Sequence, residues 1–391
     1  MQHESNEIVK TILKYSNIPT NTFDGETEIV SNFIDHAAKK YNIRLEKNKE
    51  KKLNRLLYKN EEIGFMQGLR TSSTKDEAYR LCRNKFILEE HLREMDISTL
   101  SSKHFYEDEK EEALKYALEN KDQRFVLKPL NLAGGKGVVL DVGLDDFSQA
   151  WDQCVNSQIE EDVKVKSCIV QPFINGFDVR VSIIEGRYAG AILRLPAHIV
   201  GDGESSIIDL IEQKNAERNK IPYFRDKLIP TDGYLDKQLN KLNLNKNHVP
   251  DHNEIIVIND ISNLTLGGES IEVSQLLSKK IVDLAINAAA SIPGLYSTGI
   301  DIMTDDYLNG EGYIIELNTS PNLTMHHLPL KGKKRFPYYT FVRSCLINYK
   351  VNNAVRLTAK EAEIFTEIHK FNNLKNLYAG KIMKNMMALK W

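Results

Sequence analysis

The pattern of apolar and polar positions divides the chain into a helical start and a β-rich middle. In the first sixty residues, the runs EIVKTILKY and IVSNFIDHAAKKY repeat apolar residues at helical spacing. The basic run EKNKEKKLNRLLYKN (46–60) and the run TKDEAYRLCRNKFILEEHLREM (74–95) are predicted to be helical as well. We therefore expect a small helical or α+β N-terminal region at residues 1–83, with its first sixty residues mainly helical.

Short runs rich in β-branched residues begin near residue 124. RFVLKP and GVVLDV flank the glycine-rich NLAGGK, and DVRVSII and RYAGAILRL flank Glu185-Gly186, which predicts two hairpins. Further strands are predicted at KSCIVQPF, STGIDIMTD and YIIELN, and helices at FSQAWDQCVNS, IIDLIEQKNAERN and SQLLSKKIVDLAINAAASI. Helices mixed with hairpin-connected strands indicate an α+β protein, and the chain after Asn322 is predicted to become helical to its end.

Composition excludes more functions than it identifies. The 391 residues are 41% hydrophobic and 27% charged, with a formal net charge of −2, as in a soluble globular protein of two or three units. Because the charges nearly balance, binding to nucleic acid or to an anionic membrane is not predicted. The basic run at 46–60 has two interpretations, a local contact with nucleic acid or a solvated helix face. No apolar run reaches the roughly 20 residues of a membrane helix.

The cysteines and the N-terminus indicate the compartment. Cys82, Cys154, Cys168 and Cys345 are scattered without zinc-ligand spacing, so we expect reduced thiols. The N-terminus MQHESNEIVK lacks a basic segment followed by an apolar run, so no signal peptide is predicted. A cytoplasmic protein is the expectation.

Two polar residues on the last predicted strand suggest a metal site. Glu316 and Asn318 stand two residues apart in YIIELN, so their side chains point to the same face. The run GIDIM places Asp301 on a partner strand, where it can face them. Two carboxylates and an amide oxygen suit Mg²⁺ or Mn²⁺ that is also held by substrate phosphates. A polar strand edge with an ordinary ion pair is the structural alternative.

The glycine-rich hairpin follows a lysine. Gly134, Gly135 and Gly137 would let backbone N–H groups approach phosphate oxygens, with Lys128 as a nearby point charge. The loop is not a Walker A motif, because Lys136 precedes Gly137 and no G-K-[ST] occurs. It is not a dinucleotide fingerprint, because strands rather than a helix follow it. We interpret it as a mobile phosphate lid, with an ordinary hairpin as the alternative.

A third group of candidates lies in CIVQPFINGFDVRV. Gln171 and Phe173, at a strand end, offer backbone groups and an apolar ring that can hold a purine. Asp178 can accept hydrogen bonds from ribose hydroxyls. Arg180 and Arg194 can bind phosphate or carboxylate in bidentate fashion, although each charged residue alone is also compatible with a surface ion pair.

Taken in order, these elements resemble the ATP-grasp superfamily of carboxylate–amine ligases, from about Gly64 to Arg335. The segments RLPAHIVGDGESSIIDLIEQKN and ISNLTLGGESIEV are similar to motifs of cyanophycin synthetases and of the ATP-grasp part of bifunctional glutathione synthetases. TGIDIM and ELNTSPNLTMHHLP resemble the closing motifs of the same proteins.

The resemblance implies the ATP-grasp fold, in which two α+β subdomains clasp ATP. It places the ATP-grasp domain at 84–350, with a small lid subdomain at about 121–173 and a large subdomain at about 174–350. A helical tail at 351–391 follows. The tail's basic and apolar end, KIMKNMMALKW, is predicted to pack on the body or across a dimer, with a membrane surface as the alternative.

The resemblance also assigns roles by position. The implied nucleotide-binding residues are Lys85, Lys128, Gly134, Gly135, Gly137, Gln171, Phe173 and Asp178. The implied metal ligands are Asp301, Glu316 and Asn318. The implied catalytic residues are Arg194, Arg180 and Lys136, with Arg194 near the transferred phosphate and acyl group.

Three positions depart from the family pattern. Gln171 stands where a glutamate is usual at or beside the adenine hinge, and Pro321-Asn322 replaces a Pro-Gly pair, although asparagine tolerates left-handed backbone. Asn259, in VINDISN, stands where an arginine is expected, and this puts transfer of the family's acid substrate in doubt.

The implied function is an ATP-dependent, ADP-forming ligase that makes an amide or peptide bond through an acyl phosphate. Its expected cofactors are ATP and Mg²⁺ (or Mn²⁺), and its partners are a small-molecule acid or amino acid, an amine and a second copy in a homodimer. The alternatives are a ligase that modifies a protein, ribosomal peptide or sugar acid, and a non-catalytic ATP-binding regulatory module. For His326, His327 and His198 we expect capping or packing roles, with substrate or metal contact left open.

Overall fold

The computed structural model describes residues 6–22, 33–132, 135–259 and 262–388. Helices and antiparallel sheets are mixed along the chain, which confirms the predicted α+β class. The described chain forms an N-terminal region, a small unit that we call the lid, and a larger unit around a five-stranded sheet.

The N-terminal region combines helices with a four-stranded antiparallel meander. Its elements are α1 (Asn6–Ser16), α2 (Phe33–Lys40), β1 (Arg44–Asn48), β2 (Leu53–Tyr58), β3 (Glu61–Gln67), β4 (Arg70–Thr71), α3 (Asp76–Arg83) and α4 (Lys85–Glu94). The prediction of a helix at 46–60 is wrong, because this run forms β1, β2 and the turn between them. The N-terminal region is therefore α+β, and its first sixty residues are not mainly helical.

Two local features explain that error. Lys59 and Asn60 have positive φ angles of 51° and 67°, the backbone of a type I′ turn between β2 and β3. An irregularity in the pairing between Leu56 and Leu57 leaves both side chains buried. Two consecutive inward leucines hide the alternation that would have indicated a strand.

The predicted helix at 74–95 is interrupted at Asn84, between α3 and α4. The Asn84 side chain accepts hydrogen bonds from the backbone amides of Phe86 and Ile87, at 3.1 and 3.0 Å. This N-cap places Lys85 at the first position of α4.

The lid is a four-stranded antiparallel sheet packed against two helices. Its elements are β5 (Lys103–Tyr106), α5 (Lys110–Glu119), β6 (Phe125–Pro129), β7 (Val139–Val142), α6 (Phe147–Glu160) and β8 (Ser167–Pro172). Phe125, Trp151 and Cys168 lie in its fully buried core. The strand order is β5-β8-β6-β7, so the sheet takes in a strand that precedes residue 121, the predicted start of the lid.

The larger unit contains the remaining elements. Its strands are β9 (Phe177–Ile184), β10 (Arg187–Leu195), β11 (His198–Val200), β12 (Ile255–Val257), β13 (Glu269–Glu272), β14 (Thr298–Thr304) and β15 (Tyr313–Asn318). Its helices are α7 (Ile207–Asn219), α8 (Gly233–Lys241), α9 (Lys279–Ser291), α10 (Thr324–His327), α11 (Pro337–Asn352) and α12 (Ala359–Ala388). The main sheet has the order β13-β10-β9-β14-β15, and β11 pairs separately with β12. Both predicted hairpins, β6–β7 and β9–β10, are confirmed.

The two faces of the main sheet differ in chemistry, because successive side chains of a strand alternate. On β9, Val179, Val181 and Ile183 belong to the core that also holds residues of α9 and α12. Asp178 and Arg180 occupy the intervening positions and line a cleft on the other side. The alternation thus separates a fully apolar face from a charged one.

The C-terminal residues form a helical tail, as predicted, and its described part packs on the body. Phe371 of α12 is buried in the main core. The Lys375 ammonium donates to the carbonyl oxygens of Ile292 and Leu295, at 2.7 and 3.0 Å. Among the helices that the structure describes, none is long and apolar enough to span a bilayer.

Candidate active site

A cleft of about 1980 Å³ lies between the lid and the charged face of the main sheet. Most of the predicted site residues line it together. They are Lys85, Lys128, Gly135, Gln171, Phe173, Asp178, Arg180, Arg194, Asp301, Glu316 and Asn318. Residues that are far apart in sequence therefore meet in one place.

The predicted metal ligands are brought together by the β14–β15 ladder. Asp301 lies directly opposite Glu316, and Asn318 lies opposite Gly299. Asn318 and Glu316 share one face of β15, and the Asn318 amide nitrogen donates to Glu316 Oε1 at 2.9 Å. Two carboxylates and an amide are thus in reach of one another on the cleft wall.

Next to them, four charged side chains form a compact group that we call the sheet cluster: Asp178, Arg180, Arg194 and Asp301. The Arg180 guanidinium contacts both carboxylate oxygens of Asp301, with Nη2 donating to Oδ2 at 2.7 Å. Arg194 donates to Asp178 Oδ1 at 2.5 Å and lies 3.1 Å from Asp301 Oδ2. Each charge therefore touches at least one opposite charge.

These contacts set the protonation of the cluster. Burial tends to raise the pKa of Asp301, but Arg180 and Arg194 outweigh it and hold that pKa below its usual range. Burial also raises the pKa of Asp178, which Arg194 offsets only in part. The pKa of Arg194 is raised, because Asp178 and Asp301 outweigh the effect of its burial. Asp301 is thus the firmly ionised carboxylate of the pair.

Glu316 differs from its neighbours, since it makes no ion pair with any described cation. An uncompensated carboxylate beside Asp301 and the Asn318 amide is a set of hard oxygen donors, which fits Mg²⁺ or Mn²⁺. Among the described residues no group of three or more His, Cys, Asp or Glu could hold a metal. The amide of Asn318 therefore has to complete such a site.

The two predicted phosphate lysines reach the cleft from different elements. Lys85, at the start of α4, donates to the carbonyl oxygen of Leu132 at 3.2 Å, where the glycine-rich loop begins. Lys128, on β6, is buried and donates to Gln171 Oε1 at 2.9 Å. Burial and the neighbouring Lys85 lower the pKa of Lys128 to about 8.

The residues of the glycine-rich loop have different positions. Gly135 has φ 81° and lines the cleft, whereas Gly134 lies outside the described residues. Gly137, with φ 68°, packs so closely that an added Cβ would lie 2.0 Å from Ser157 Oγ of α6. Lys136 points to the surface and pairs with Glu161 at 2.5 Å. In this structure Lys136 and Gly137 do not line the cleft, and Gly137 packs against α6.

At the predicted adenine hinge, the Gln171 side chain is buried and engaged with the protein. The Phe173 amide donates to the carbonyl oxygen of Arg124 at 2.8 Å, so that amide is already used. Phe173 and the following residues Ile174 and Asn175 line the cleft. Contacts to a base would therefore come from the Phe173 ring and from the chain after it.

The three histidines have structural environments. His326 Nε2 lies 2.7 Å from Ser182 Oγ, and burial, with Arg180 and Arg335 nearby, lowers its pKa to about 3. His327 is stacked on Phe33 at a centroid distance of 4.2 Å, and burial lowers its pKa to about 3. Burial lowers the pKa of His198 to about 4. The packing role expected for these residues fits their surroundings.

Sequence reasoning missed residues that lie behind the lysines. Glu89 of α4 accepts hydrogen bonds from the Ser102 amide at 2.5 Å and the Ser102 hydroxyl at 2.6 Å. Gln171 Nε2 donates to the Ser102 hydroxyl at 2.9 Å and to Glu89 Oε2 at 3.4 Å. We call Glu89, Ser102, Gln171 and Lys128 the lid relay. The available signal was weak, because Glu89 is one of two adjacent glutamates in a helical run.

Two arginines of α3 were also missed. Arg80 and Arg83 line the cleft, and neither is in ion-pair distance of a carboxylate within the described ranges. They stand three residues apart, so they share one face of the helix.

The chain resembles known proteins in both sequence and structure. No family model matches the chain. The chain is 28% identical over 281 residues to the glutathione biosynthesis bifunctional protein GshAB of Clostridium perfringens, which covers 69% of this chain and 34% of that protein. It is 28% identical over 245 residues to the cyanophycin synthetase of Trichormus variabilis, covering 58% of this chain and 25% of that protein. The resemblance stated from the motifs is confirmed.

A structural comparison identifies the fold. The crystal structure of a bifunctional glutathione synthetase from Pasteurella multocida superposes with a TM-score of 0.61 at 20% identity, over 82% of this chain and 43% of that one. The chain has the ATP-grasp fold. It spans only about a quarter to a third of the length of the curated relatives described above.

Proposed function

We propose that this ATP-grasp protein is an ATP-dependent, ADP-forming carboxylate–amine ligase. The observation that carries the proposal is the cleft, where Lys85 and Lys128 face the oxygen donors Asp301, Glu316 and Asn318. The similarity to GshAB and to cyanophycin synthetase supports the same class of activity.

In this proposal the triphosphate lies across the cleft. Lys85 and Lys128 bind phosphate oxygens, and Gly135 lets the loop backbone approach them. Asp301, Glu316 and Asn318 hold a divalent cation, which supplies charge neutralisation at the phosphates. Phe173 packs on the base. Asp178 accepts hydrogen bonds from the ribose hydroxyls while it keeps its contact with Arg194.

The chemistry proposed is attack of a substrate carboxylate on the γ-phosphate, which releases ADP and forms an acyl phosphate. An amine then attacks the acyl carbon, and phosphate leaves as an amide forms. Arg194 suits a place beside this reaction, because its Nε is buried and has no hydrogen-bond partner among the described residues. It can donate there to the acid or the transferred phosphate while Nη2 stays on Asp178 and Asp301.

Two arginines that line the cleft favour an acid substrate with a further negative charge. The nucleotide and its cation account for Lys85, Lys128, Asp301 and Glu316 in this arrangement. Arg80 and Arg83 have no role in this arrangement. They carry like charges three residues apart on a helix, and this repulsion is unfavourable unless an anion binds between them. A further anionic group on the acid would bind there.

Hydroxylamine trapping tests the function. We expect purified protein with Mg-ATP and pools of amino acids and dipeptides to release phosphate and, with hydroxylamine present, to form a hydroxamate from the acyl phosphate. Turnover only with proteins, ribosomal peptides or sugar acids would indicate the corresponding modifying ligase. Tight ADP binding without phosphate release under every pool would overturn the proposal in favour of a regulatory module.

A further inference from the structure

The lid relay joins two buried charges through one amide. Lys128 Nζ donates to Gln171 Oε1 at 2.9 Å, and Gln171 Nε2 donates to Glu89 Oε2 at 3.4 Å and to Ser102 Oγ at 2.9 Å. Glu89, Ser102, Gln171 and Lys128 are each less than 9% exposed. The relay is therefore largely shielded from solvent, and Lys128 and Gln171 reach the cleft from its lid side.

Neither end of the relay has a direct counter-charge. Within the described chain, Glu89 and Lys128 make no ion pair with any side chain. A buried charge without compensation is costly, so the Gln171 amide is oriented by both. Its oxygen faces the Lys128 ammonium and its NH₂ group faces the Glu89 carboxylate. The reverse orientation would place two donors against each other at Lys128 and two acceptors against each other at Glu89.

The relay also connects the elements that carry the two phosphate lysines. Glu89 lies on α4, whose first residue is Lys85. Ser102 directly precedes the lid strand β5, and Gln171 and Lys128 lie on the paired lid strands β8 and β6. A change at Glu89 can thus alter the position and charge of Lys128 through these hydrogen bonds, although Glu89 does not line the cleft.

We propose that Glu89 is a positioning residue for nucleotide binding, which acts through Ser102 and Gln171 to hold the Lys128 ammonium charged and directed at a nucleotide phosphate. The proposal deepens the proposed function, on which it rests only in assigning Lys128 to phosphate. It adds a residue outside the cleft to the machinery of the cleft.

The electrostatics of Lys128 agree in direction. Burial and Lys85 lower its pKa to about 8, whereas Glu89 on α4 and Glu316 on β15 raise it. Glu316 is not within ion-pair distance of Lys128. Removing the charge of Glu89 therefore lowers the pKa of Lys128 further, and less ammonium is present at pH 8.

The test begins with Glu89→Gln, which keeps the shape of the side chain. Isothermal titration calorimetry at pH 8 is expected to show that this variant binds Mg-ADP about tenfold more weakly than the wild type. The affinity of the variant for Mg-ADP should also begin to decline at a lower pH than that of the wild type. Glu90→Gln is the matched control, because Glu90 is the exposed neighbour on the same helix and pairs with Arg93. It is expected to bind as the wild type does.

A second readout needs no nucleotide. In protein labelled with [ε-¹³C]lysine, the resonance that disappears in Lys128→Met identifies Lys128, and its titration midpoint is expected to be lower in Glu89→Gln. If wild-type protein fails to bind Mg-ADP, the proposed function fails, whereas this titration still tests the relay. An unchanged midpoint together with unchanged ADP affinity would overturn the proposal.

Moving the carboxylate sharpens the test. In Glu89→Gln/Gln171→Glu, the charge lies directly against Lys128, and ADP affinity is expected to return to within about threefold of wild type. A merely structural role for Glu89 predicts no such recovery, and its absence in a folded double variant contradicts the relay. Should Glu89→Gln fail to fold, Gln171→Met breaks the relay at its centre and is expected to weaken ADP binding to the same degree.

Discussion

The sheet cluster and the lid relay face each other across one cleft and handle charge in opposite ways. In the sheet cluster, Asp178, Arg180, Arg194 and Asp301 touch one another directly. In the lid relay, an amide separates the cation from the anion, and the cation has a pKa of about 8. The sheet cluster is therefore compensated before any substrate binds, whereas the lid relay keeps an ammonium available for phosphate.

Asp301→Ala should show the largest effect, because it removes the carboxylate that contacts both arginines. Breaking a buried pair leaves uncompensated charge, so we expect a loss of about 3–5 kcal/mol in the free energy of unfolding. Loss of a metal ligand should lower ADP formation by about 1000-fold or more. Denaturant unfolding and a phosphate-release assay measure the two effects.

Glu316→Gln is the matched comparison for that variant. Glu316 makes no ion pair with a described cation, so the same loss of activity is expected with the free energy of unfolding nearly unchanged. If Glu316→Gln destabilises the protein as much as Asp301→Ala does, the distinction between a paired and a metal-directed carboxylate is wrong.

Acid should destabilise the larger unit before the lid. His198, His326 and His327 lie in the larger unit, where burial lowers their pKa values to about 4, 3 and 3. The lid has one histidine, His104, and burial lowers its pKa too, although its ring is only partly buried. The unfolded chain binds protons to these side chains below about pH 6.5, and the folded chain does so only near pH 3–4. The contribution of these histidines to the free energy of unfolding is therefore fully present above pH 6.5 and is lost as pH falls toward 4. The loss is on the order of a few kcal/mol.

Tryptophan fluorescence can separate the two units in that experiment. The chain has two tryptophans, and Trp151 lies in the lid core, so Trp391→Phe leaves a lid-specific reporter. Ellipticity of the whole chain is expected to change at higher pH than Trp151 emission. Coincident transitions would show that the lid and the larger unit unfold together.

Lys128→Met tests the opposite property of the lid relay. Replacing this ammonium by an apolar chain of similar length removes the cost of burying a charge but leaves Gln171 Oε1 without its donor, so the free energy of unfolding should change by no more than about 1–2 kcal/mol. Mg-ADP affinity should fall about 10- to 100-fold.

The pH dependence gives a second measure at the same residue. Wild-type affinity for Mg-ADP is expected to decline as pH rises through about 8, where Lys128 loses its proton, and the variant should lack that decline. Titration calorimetry between pH 6.5 and 9.5 measures both. An identical pH profile for the two proteins would contradict the assignment of Lys128.

The polar residues on the sheet side of the cleft could be predicted from the sequence, whereas the contacts of the lid relay could not. Glu316 and Asn318 are two residues apart on a strand, and alternation alone places them on one face. Asp301, Arg180 and Arg194 also stand on short, strongly patterned strands, so their convergence follows from strand pairing.

The relay depends on contacts that no local pattern carries. Glu89 and Gln171 are 82 positions apart, and Glu89 has the same helical context as its exposed neighbour Glu90. The error at 46–60 has a related cause, since two adjacent buried leucines removed the period-two signal. Where one residue type fits several environments, only tertiary packing decides between them.

The smallest effect is expected at the unpaired arginines, which belong to neither group. In Arg80→Gln/Arg83→Gln, Mg-ADP affinity should stay within about twofold, because Lys85 and Lys128 remain. The KM for whichever acid supports phosphate release should rise about 3- to 10-fold, as expected for loss of exposed charge contacts rather than buried ones. Arg70→Gln is the control, because Arg70 is occupied by Asp76 and by the carbonyl oxygen of Thr74. If ADP affinity falls as much as the KM rises, the two arginines serve the nucleotide, and the cleft has three groups of phosphate-binding cations instead of two.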